Sequence, residues 1–227
     1  TGMYDAINRG FSRAGGDILT QLNADEQYLP GTIGAVSAFF RDHPGIDIVF
    51  ADALVVNPEG NLICFQKVSR PTRHQIMLYH MPTYTAATFF RRRVQEKYGL
   101  KFRADLKALA DSYWCLEMLR KKVPFAIMRR YTSIVTSRGS NLSLSDAAKR
   151  ETLALYKSAP LSARIFRPLF KLKHVLDKLK GGCYSGGPVS YSIYTQDSHA
   201  ARKDFIFRSP SPFWNEMRKA KSGYFRQ

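Results

Sequence analysis

The stretch from Asp17 to Pro30, which reads DILTQLNADEQYLP, decides how this sequence is interpreted. Its first part carries Ile18, Leu19 and Leu22, which predict a buried strand. The strand continues directly into Asn23-Ala24-Asp25-Glu26, a cluster of oxygen-bearing side chains. Because ligands bind beyond the carboxyl ends of strands in α/β sheets, this cluster predicts a ligand site at that edge.

Two adjacent carboxylates, Asp25 and Glu26, suit a hard divalent cation such as Mg²⁺ or Mn²⁺. Such an ion takes carboxylate oxygens and shares its other positions with substrate phosphates and water. The same two residues are also typical of a solvated turn ahead of Pro30. These residues alone leave both interpretations open.

The composition predicts one domain with an appendage, since 227 residues that are 44% hydrophobic can bury a substantial core. The chain has 35 Lys and Arg against 18 Asp and Glu, a net charge of +17. This excess favours an anionic partner: nucleic acid, an anionic membrane or a phosphorylated substrate. Cys64, Cys115 and Cys183 are far apart and odd in number, which argues against a disulfide framework or a structural zinc site and favours a reducing compartment.

Hydrophobic periodicity and turn residues predict alternating helices and strands up to about residue 140. The predicted helices are 4–14, 30–40, 73–79, 92–99 and 109–122, and the predicted strands are 17–22, 46–56, 62–68, 83–90 and 125–136. We expect Ile33, Val36 and Phe40 to face the core from the second helix. The strand 17–22 is expected at the centre of the sheet.

After residue 140 the sequence becomes basic and helical. Ser143 and Asp146 predict a capped helix that ends near Tyr156. An amphipathic stretch follows, which we expect to be kinked or divided at Pro168 and ended by Gly181-Gly182. Its apolar residues are Leu161, Ile165, Leu169, Leu172, Leu176 and Leu179, and its basic ones are Arg164, Arg167, Lys171, Lys173, Lys178 and Lys180.

Two environments suit this amphipathic stretch. It could lie on an anionic membrane surface, where each Lys or Arg contributes about 1 kcal/mol. It could also dock on the protein's own core with its charges solvated. The sequence leaves both open.

Three spaced motifs resemble the middle of the family 2 glycosyltransferases of the GT-A fold. They are TGMYDAINRG at 1–10, AGGDI at 14–18 and LNADE at 22–26. The family carries a Gly-x-Tyr-Asp-Ala-x-Asn-x-Gly helix, a Gly-Asp/Glu-Ile strand and a Leu-Asn-x-Asp-Asp turn at the same spacing. Further on, ATFFRR at 87–92 is similar to the family's acceptor-side strand, and ADSY at 110–113 to its Ala-Asp-Tyr-Asp helix start.

The resemblance implies an α/β fold: a GT-A-like mixed central sheet flanked by helices over residues 1–140, followed by a basic amphipathic, helical extension at 141–227. The first β-α units of such a domain, which hold the nucleobase, have no counterpart here. We therefore expect the sequence to begin inside the domain.

The resemblance also implies roles on the donor side. Asp25 would hold a divalent metal ion against the leaving diphosphate, and Glu26 would assist through water. Asn23 stands where many relatives have the first Asp of an Asp-x-Asp motif, and would contact ribose or a metal-bound water. Asp5 and Asn8, one helical turn apart, would face the nucleotide-sugar, although Asn8 could equally cap or pack.

Asp111 has two interpretations. From the residues alone it is a first-turn acid that the helix dipole stabilises by about 0.3–1 kcal/mol. By the resemblance it occupies the position of the general base, which takes the proton of the acceptor hydroxyl as that hydroxyl attacks the anomeric carbon. A single displacement with one base inverts that centre.

Taken together, the resemblance implies an inverting, metal-assisted glycosyltransferase that uses a nucleotide-diphosphate sugar. Its acceptor would be a hydroxyl of a polysaccharide or lipid-linked glycan of the cell envelope, and its location the cytoplasm, at the inner face of the cell membrane. The alternative is a non-catalytic basic module that binds nucleic acid or a membrane surface. The core lacks interleaved base-stacking aromatics and any helix-turn-helix or RRM signature, which argues against nucleic acid.

Overall fold

A six-stranded mixed sheet lies at the centre of the part of the chain that the structure describes. The structure is a computed structural model, and it describes residues 2–138 and 145–215. The helices are α1 (Met3–Arg13), α2 (Thr32–Asp42), α3 (Arg73–Leu78), α4 (Arg93–Glu96), α5 (Ala110–Arg120), α6 (Asp146–Lys157), α7 (Leu161–Ile165) and α8 (Arg167–Lys180). The strands are β1 (Ile18–Thr20), β2 (Gln27–Tyr28), β3 (Ile48–Val56), β4 (Leu62–Gln66), β5 (Thr88–Arg91), β6 (Phe125–Thr136), β7 (Val189–Thr195) and β8 (Ser198–Phe207), with a 3₁₀ turn at Thr85–Ala87.

Strand β3 organises this sheet because all nine of its residues are buried. Its apolar, β-branched sequence is typical of a strand covered on both faces. It pairs in parallel with β6 along one edge, and on the other edge in antiparallel fashion with β5 and then with β4. The sheet order is β1-β5-β3-β6-β2, with β4 beside β3.

The prediction that strand 17–22 is central was wrong. It is reduced to β1, three residues long, and it pairs with β5 at the end of the described sheet. Leu19 is buried, but Ile18 is only half-buried. The longer apolar run of β3 takes the central position because it can bury both of its faces.

Helices cover both faces of the sheet. Ile48 and Phe50 of β3 belong to the larger hydrophobic cluster, which also receives residues of α1, α3 and α5. Val49 and Ala51 alternate with them and belong to the cluster under α2. The result is a three-layer α/β/α arrangement, which confirms the predicted fold class.

The prediction that Ile33 faces the core was wrong, since it is 58% exposed. Val36 and Phe40 are buried as predicted. The buried stripe of α2 follows steps of four residues from Thr32, whose hydroxyl donates to the carbonyl of Thr132 at 2.7 Å. Ile33 is rotated away from that stripe.

The C-terminal helices begin at positions that differ from the prediction. Ser145 caps α6 by accepting from the Ala148 N–H at 3.1 Å, whereas Ser143 lies outside the described residues. The amphipathic stretch divides at Phe166, and Pro168 lies in the first turn of α8. Proline is tolerated there because its missing N–H has no helical partner, so it begins a helix rather than kinking one.

The C-terminal segment contributes to the core. Leu155 of α6 belongs to the larger cluster, and Val189 and Ile193 of β7 pack in a cluster with Leu54 and Phe65. The predicted division at residue 140 falls outside the described residues and stays a prediction. Among the described residues, no helix has both the length and the apolar character that crossing a bilayer requires.

One glycine joins the sheet to the C-terminal hairpin. Gly60 has a φ of 91°, and its carbonyl accepts a hydrogen bond from the Tyr191 hydroxyl at 2.7 Å. A Cβ placed on Gly60 would lie 2.6 Å from the ring of Phe205 and 2.9 Å from a methyl of Thr195. Only glycine therefore allows β7 and β8 to dock on the β3–β4 turn.

Replacing Gly60 with alanine should lower the free energy of unfolding by about 1–3 kcal/mol, through backbone strain and overpacking against Phe205. Urea denaturation measures this change. Gly45→Ala is the matched control, because a Cβ on Gly45 would meet no heavy atom of a non-neighbouring residue within 4 Å and its φ is not positive. Equal stability of the two variants would contradict the prediction.

Candidate active site

A cleft of about 770 Å³ brings together residues that are distant in the sequence. The loop between β1 and β2 supplies Asn23, Asp25 and Glu26 to its lining, and the first turn of α5 supplies Asp111 and Ser112. The two carboxylates Asp25 and Asp111 therefore face one shared space.

Hydrogen bonds within the β1–β2 loop determine its shape. Glu26 Oε2 accepts from the backbone N–H of Asn23 at 2.9 Å, and the Glu26 N–H donates to the Asn23 carbonyl at 3.1 Å. The side-chain amide of Gln21 donates to Asn23 Oδ1 at 2.9 Å. Glu26 thus closes the turn from within, as a capping side chain does.

Asp25 is the most open of the acidic groups in this loop, with its side chain 44% exposed. Its backbone carbonyl accepts from the Thr136 hydroxyl at 2.7 Å, which ties the loop to the end of β6. Arg138 Nε lies 3.8 Å from its carboxylate. The loop therefore places the Asp25 carboxylate in the cleft, beside the guanidinium group of Arg138.

The residues present fit a divalent ion that a substrate helps to hold. No group of three His, Cys, Asp or Glu residues that could bind a metal occurs within 2–138 and 145–215. Mg²⁺ needs only one or two protein carboxylates when substrate phosphates and water complete its shell, and Asp25 offers one. Glu26 is less available, because burial raises the pKa of its carboxyl and the Asn23 N–H already occupies one oxygen.

Asp111 is held at the start of α5. Its Oδ1 accepts from the N–H of Ser112 at 2.7 Å. The hydroxyl of Tyr4 donates to the carbonyl of Ala108 at 3.0 Å, just before the helix. Burial, and then the charge of Asp111, raise the pKa of Tyr4, so this tyrosine remains a neutral donor.

Glu151 of α6 clamps the chain that leads into α5. Its two carboxylate oxygens accept from three consecutive N–H groups, those of Lys107, Ala108 and Leu109, at 2.7–3.0 Å. Bonds to a charged acceptor contribute about 1.5–3 kcal/mol each when well formed. The backbone conformation just before Asp111 therefore depends on Glu151, a residue of the C-terminal segment.

Asp5 and Asn8 lie on α1, and each has a partner in the protein. Asp5 pairs with Arg9 at 2.8 Å. The Asn8 amide donates to the Phe102 carbonyl at 2.7 Å and accepts from the Phe102 N–H at 3.0 Å, so it ties α1 to that loop. Neither is among the described residues that line the cleft. Their proposed contact with the nucleotide-sugar stays a prediction.

Gln21 and Thr83 are among the polar residues of the site that sequence reasoning missed. Both line the cleft and a smaller apolar cavity beneath it, where Asp111 and Cys115 also lie. Gln21 Oε1 and Thr83 Oγ1 are buried without a hydrogen-bond partner in the described part of the chain. No sequence signal marks them, because only the tertiary structure determines which polar atoms lose both water and a protein partner.

Helix α8 forms another wall of the cleft with Lys171, His174 and Lys178. Burial, and then the charge of Lys178, lower the pKa of His174 to about 4. His174 is therefore neutral at pH 7, and the two lysines carry the positive charge of this wall. The predicted basic helix thus contributes charge to the site.

The unpartnered hydroxyl of Thr83 should lower stability. Thr83→Val removes that hydroxyl at nearly constant shape and should raise the free energy of unfolding by about 1 kcal/mol. Thr32→Val, which removes a buried hydroxyl bonded to Thr132, should lower it by about the same amount. Urea unfolding measures the free energy of unfolding of both variants, and we expect changes of opposite sign. An equal loss of stability in the two variants would show that the Thr83 hydroxyl has a hydrogen-bond partner.

Comparison with known proteins concerns the family and the fold. Residues 1–105 match the family model of glycosyl transferase family 2. No curated protein matches the chain.

Solved structures of TarS from S. aureus are similar in fold. The structure of TarS 1–349 with UDP-GlcNAc superposes with a TM-score of 0.50 at 17% identity, over 70% of this chain and 48% of that chain. A second structure of TarS 1–349 gives a TM-score of 0.48 at 16% identity, over 70% of this chain and 46% of that chain. The chain spans about half the length of these TarS structures. Residues 1–105 of this chain are therefore similar to glycosyl transferase family 2, and the fold is the GT-A-like one that the three sequence motifs predicted.

Proposed function

We propose that this chain carries the transfer site of an inverting glycosyltransferase. The donor is a nucleotide-diphosphate sugar, and the acceptor is a hydroxyl of a polysaccharide or lipid-linked glycan. One observation carries the proposal: Asp25, after a strand of the sheet, and Asp111, in the first turn of a distant helix, line one cleft. TarS binds UDP-GlcNAc in its structure, so a uridine-diphosphate sugar is the first donor to test.

On the donor side, Asp25 would hold Mg²⁺ or Mn²⁺, which would supply positive charge against the leaving diphosphate. Asn23 contacts the ribose or a metal-bound water, and Glu26 keeps the turn closed and assists through water. Arg138, beside Asp25, adds a positive charge to the same end of the cleft. Asp5 and Asn8 face the nucleotide-sugar from α1, and Asn8 also ties that helix to the loop at Phe102.

On the acceptor side, Asp111 is the general base. Its carboxylate takes the proton of the acceptor hydroxyl while that oxygen bonds to the anomeric carbon. The bond from this carbon to the donor phosphate breaks, and the diphosphate leaves with the electron pair. Attack and departure occur on opposite sides of the carbon, so its configuration inverts.

Gln21 and Thr83 bind sugar hydroxyls in this scheme. Sugars offer both donors and acceptors, and a buried carbonyl oxygen and a buried hydroxyl without partners gain most from such a ligand. Their place beside Asp111 in the lining supports this role.

The net charge of +17 and the basic helices support a location on the cytoplasmic face of the cell membrane, in synthesis of an envelope polysaccharide.

Asp111→Asn should lower kcat by roughly 10²–10⁴, because the amide cannot accept the proton, and should leave the KM for the donor unchanged. Transfer of radiolabelled sugar by the protein, with Mn²⁺ present, measures both constants. Asp105→Asn is the control, since Asp105 is an exposed aspartate paired with Arg103 a few residues upstream. Wild-type turnover by Asp111→Asn would refute the assignment.

Asp25→Ala should weaken the binding of UDP in the presence of Mn²⁺ at least about tenfold, because the ion loses its carboxylate ligand. Titration calorimetry with and without EDTA separates the metal-dependent part. Asp17→Ala changes an exposed carboxylate just before the same strand and should bind UDP as the wild type does. If Mn²⁺ strengthens UDP binding equally in both variants, Asp25 is not the ligand.

A further inference from the structure

The helices α7 and α8 both expose large apolar side chains. Six residues form this outer leucine face, and each is 45–65% exposed: Leu161, Ile165, Leu169, Leu172, Leu176 and Leu179. Leu169, Leu172, Leu176 and Leu179 follow one another at steps of three or four, which keeps them on one side of α8, and Leu161 and Ile165 lie four residues apart on α7. Phe166, at the junction of the two helices, is 54% exposed beside them. Contiguous exposed apolar surface of this kind marks an interaction site.

The opposite side of α8 is the one that docks on the protein. Phe170 stacks on His74 with ring centroids 4.1 Å apart, and His174 contacts Gln75 at 3.4 Å. Lys178 lies over the ring of Tyr184 at 4.9 Å. The helix therefore does pack on its own core, but through a different stripe from the leucines that the sequence singled out.

The outer leucine face is bordered by two lysines, Lys173 and Lys180, and by one acidic residue, Asp177, which pairs with Lys173 at 2.7 Å. Both lysines are exposed. A leucine stripe bordered by lysines matches the boundary between the acyl chains and the headgroups of an anionic bilayer.

Two other occupants fit less well. A second copy of the chain would bring two surfaces of the same sign together, each from a protein of charge +17. Nucleic acid would meet the lysines but would find only one exposed aromatic ring, Phe166, among the aliphatic residues of α7 and α8 in 161–180, whereas single strands stack on successive aromatic rings. We propose that the outer leucine face binds an anionic lipid bilayer.

Binding of the outer leucine face to a bilayer also identifies the class of acceptor. This second inference rests on the proposed function. The inner side of the same helix, with Lys171 and Lys178, lines the cleft that holds Asp111. A helix with its side chains is about 10–12 Å thick, so the cleft lies that close to the lipid surface. The acceptor is then a glycan carried on a lipid phosphate or diphosphate, whose negative charge the two lysines attract.

Flotation with vesicles tests the bilayer step without any transfer reaction. The protein should bind vesicles of phosphatidylglycerol and phosphatidylcholine, and bind pure phosphatidylcholine at least roughly tenfold more weakly. The double variant Leu172→Glu/Leu176→Glu should lose roughly tenfold or more of its binding to the anionic vesicles. Lys173→Gln/Lys180→Gln should lose about fivefold for each charge at low salt, and less at high salt.

Ile33→Glu is the matched control, because Ile33 is an equally exposed apolar residue on α2, and its binding should equal that of the wild type. Melting temperatures close to the wild-type value would verify that the variants fold. Undiminished binding by the double glutamate variant would overturn the proposal. So would a wild-type dimer in light scattering that this variant converts to a monomer, or a salt-sensitive gel shift with single-stranded RNA stronger than the vesicle binding.

Transfer assays separate this inference from the proposed function. With a sugar on a long-chain isoprenyl diphosphate as acceptor, the double glutamate variant should be roughly tenfold slower than the wild type in anionic vesicles and equal to it in detergent. Equal rates in vesicles would overturn the lipid-borne acceptor. If the wild type bound vesicles but transferred sugar to no acceptor, the proposed function would be refuted. The proposal that the outer leucine face binds an anionic bilayer would be unaffected.

Discussion

The burial of β3 on both faces is the constraint on which the rest of the structure depends. Its nine buried residues need partners on both edges and cover on both faces, and β6, β5, β4 and the flanking helices supply them. Where the register between β3 and β6 shifts, Asp52 accepts from the Val68 N–H and pairs with Arg129 at 3.1 Å. Because β5 and β6 are held by β3, the β1–β2 loop has rigid neighbours on both sides.

The candidate site is assembled from parts that cannot hold their geometry alone. The loop with Asp25 is anchored to the end of β6 by Thr136, and the start of α5 is held by Glu151 from the C-terminal segment. Another wall of the cleft comes from α8. A segment that the sequence marks as an appendage is therefore part of the site's framework, and its removal would leave three backbone N–H groups before Asp111 without their acceptor.

The site also carries features that oppose stability. Two buried polar atoms of the cleft lining, Gln21 Oε1 and Thr83 Oγ1, lack partners among the described residues, and burial raises the pKa of the Glu26 carboxyl. The outer face of α8 leaves apolar surface in water. Such exceptions to good packing and hydrogen bonding are expected at ligand-binding sites. A bound ligand or surface can supply the missing hydrogen-bond partners and cover the exposed apolar side chains.

The sequence by itself determined the order of most helices and strands, the family of residues 1–105 and the acidic turn at Asn23–Glu26, because periodicity, turn chemistry and motif spacing are local properties. Only the tertiary structure decided that β1 lies at an edge, that Ile33 is exposed, and that Thr83 and Glu151 belong to the site. It also decided which side of α8 faces the protein. Those outcomes depend on competition between distant segments for the same buried surface and the same hydrogen-bond partners. A local sequence pattern does not determine which segment becomes buried or which group is hydrogen-bonded.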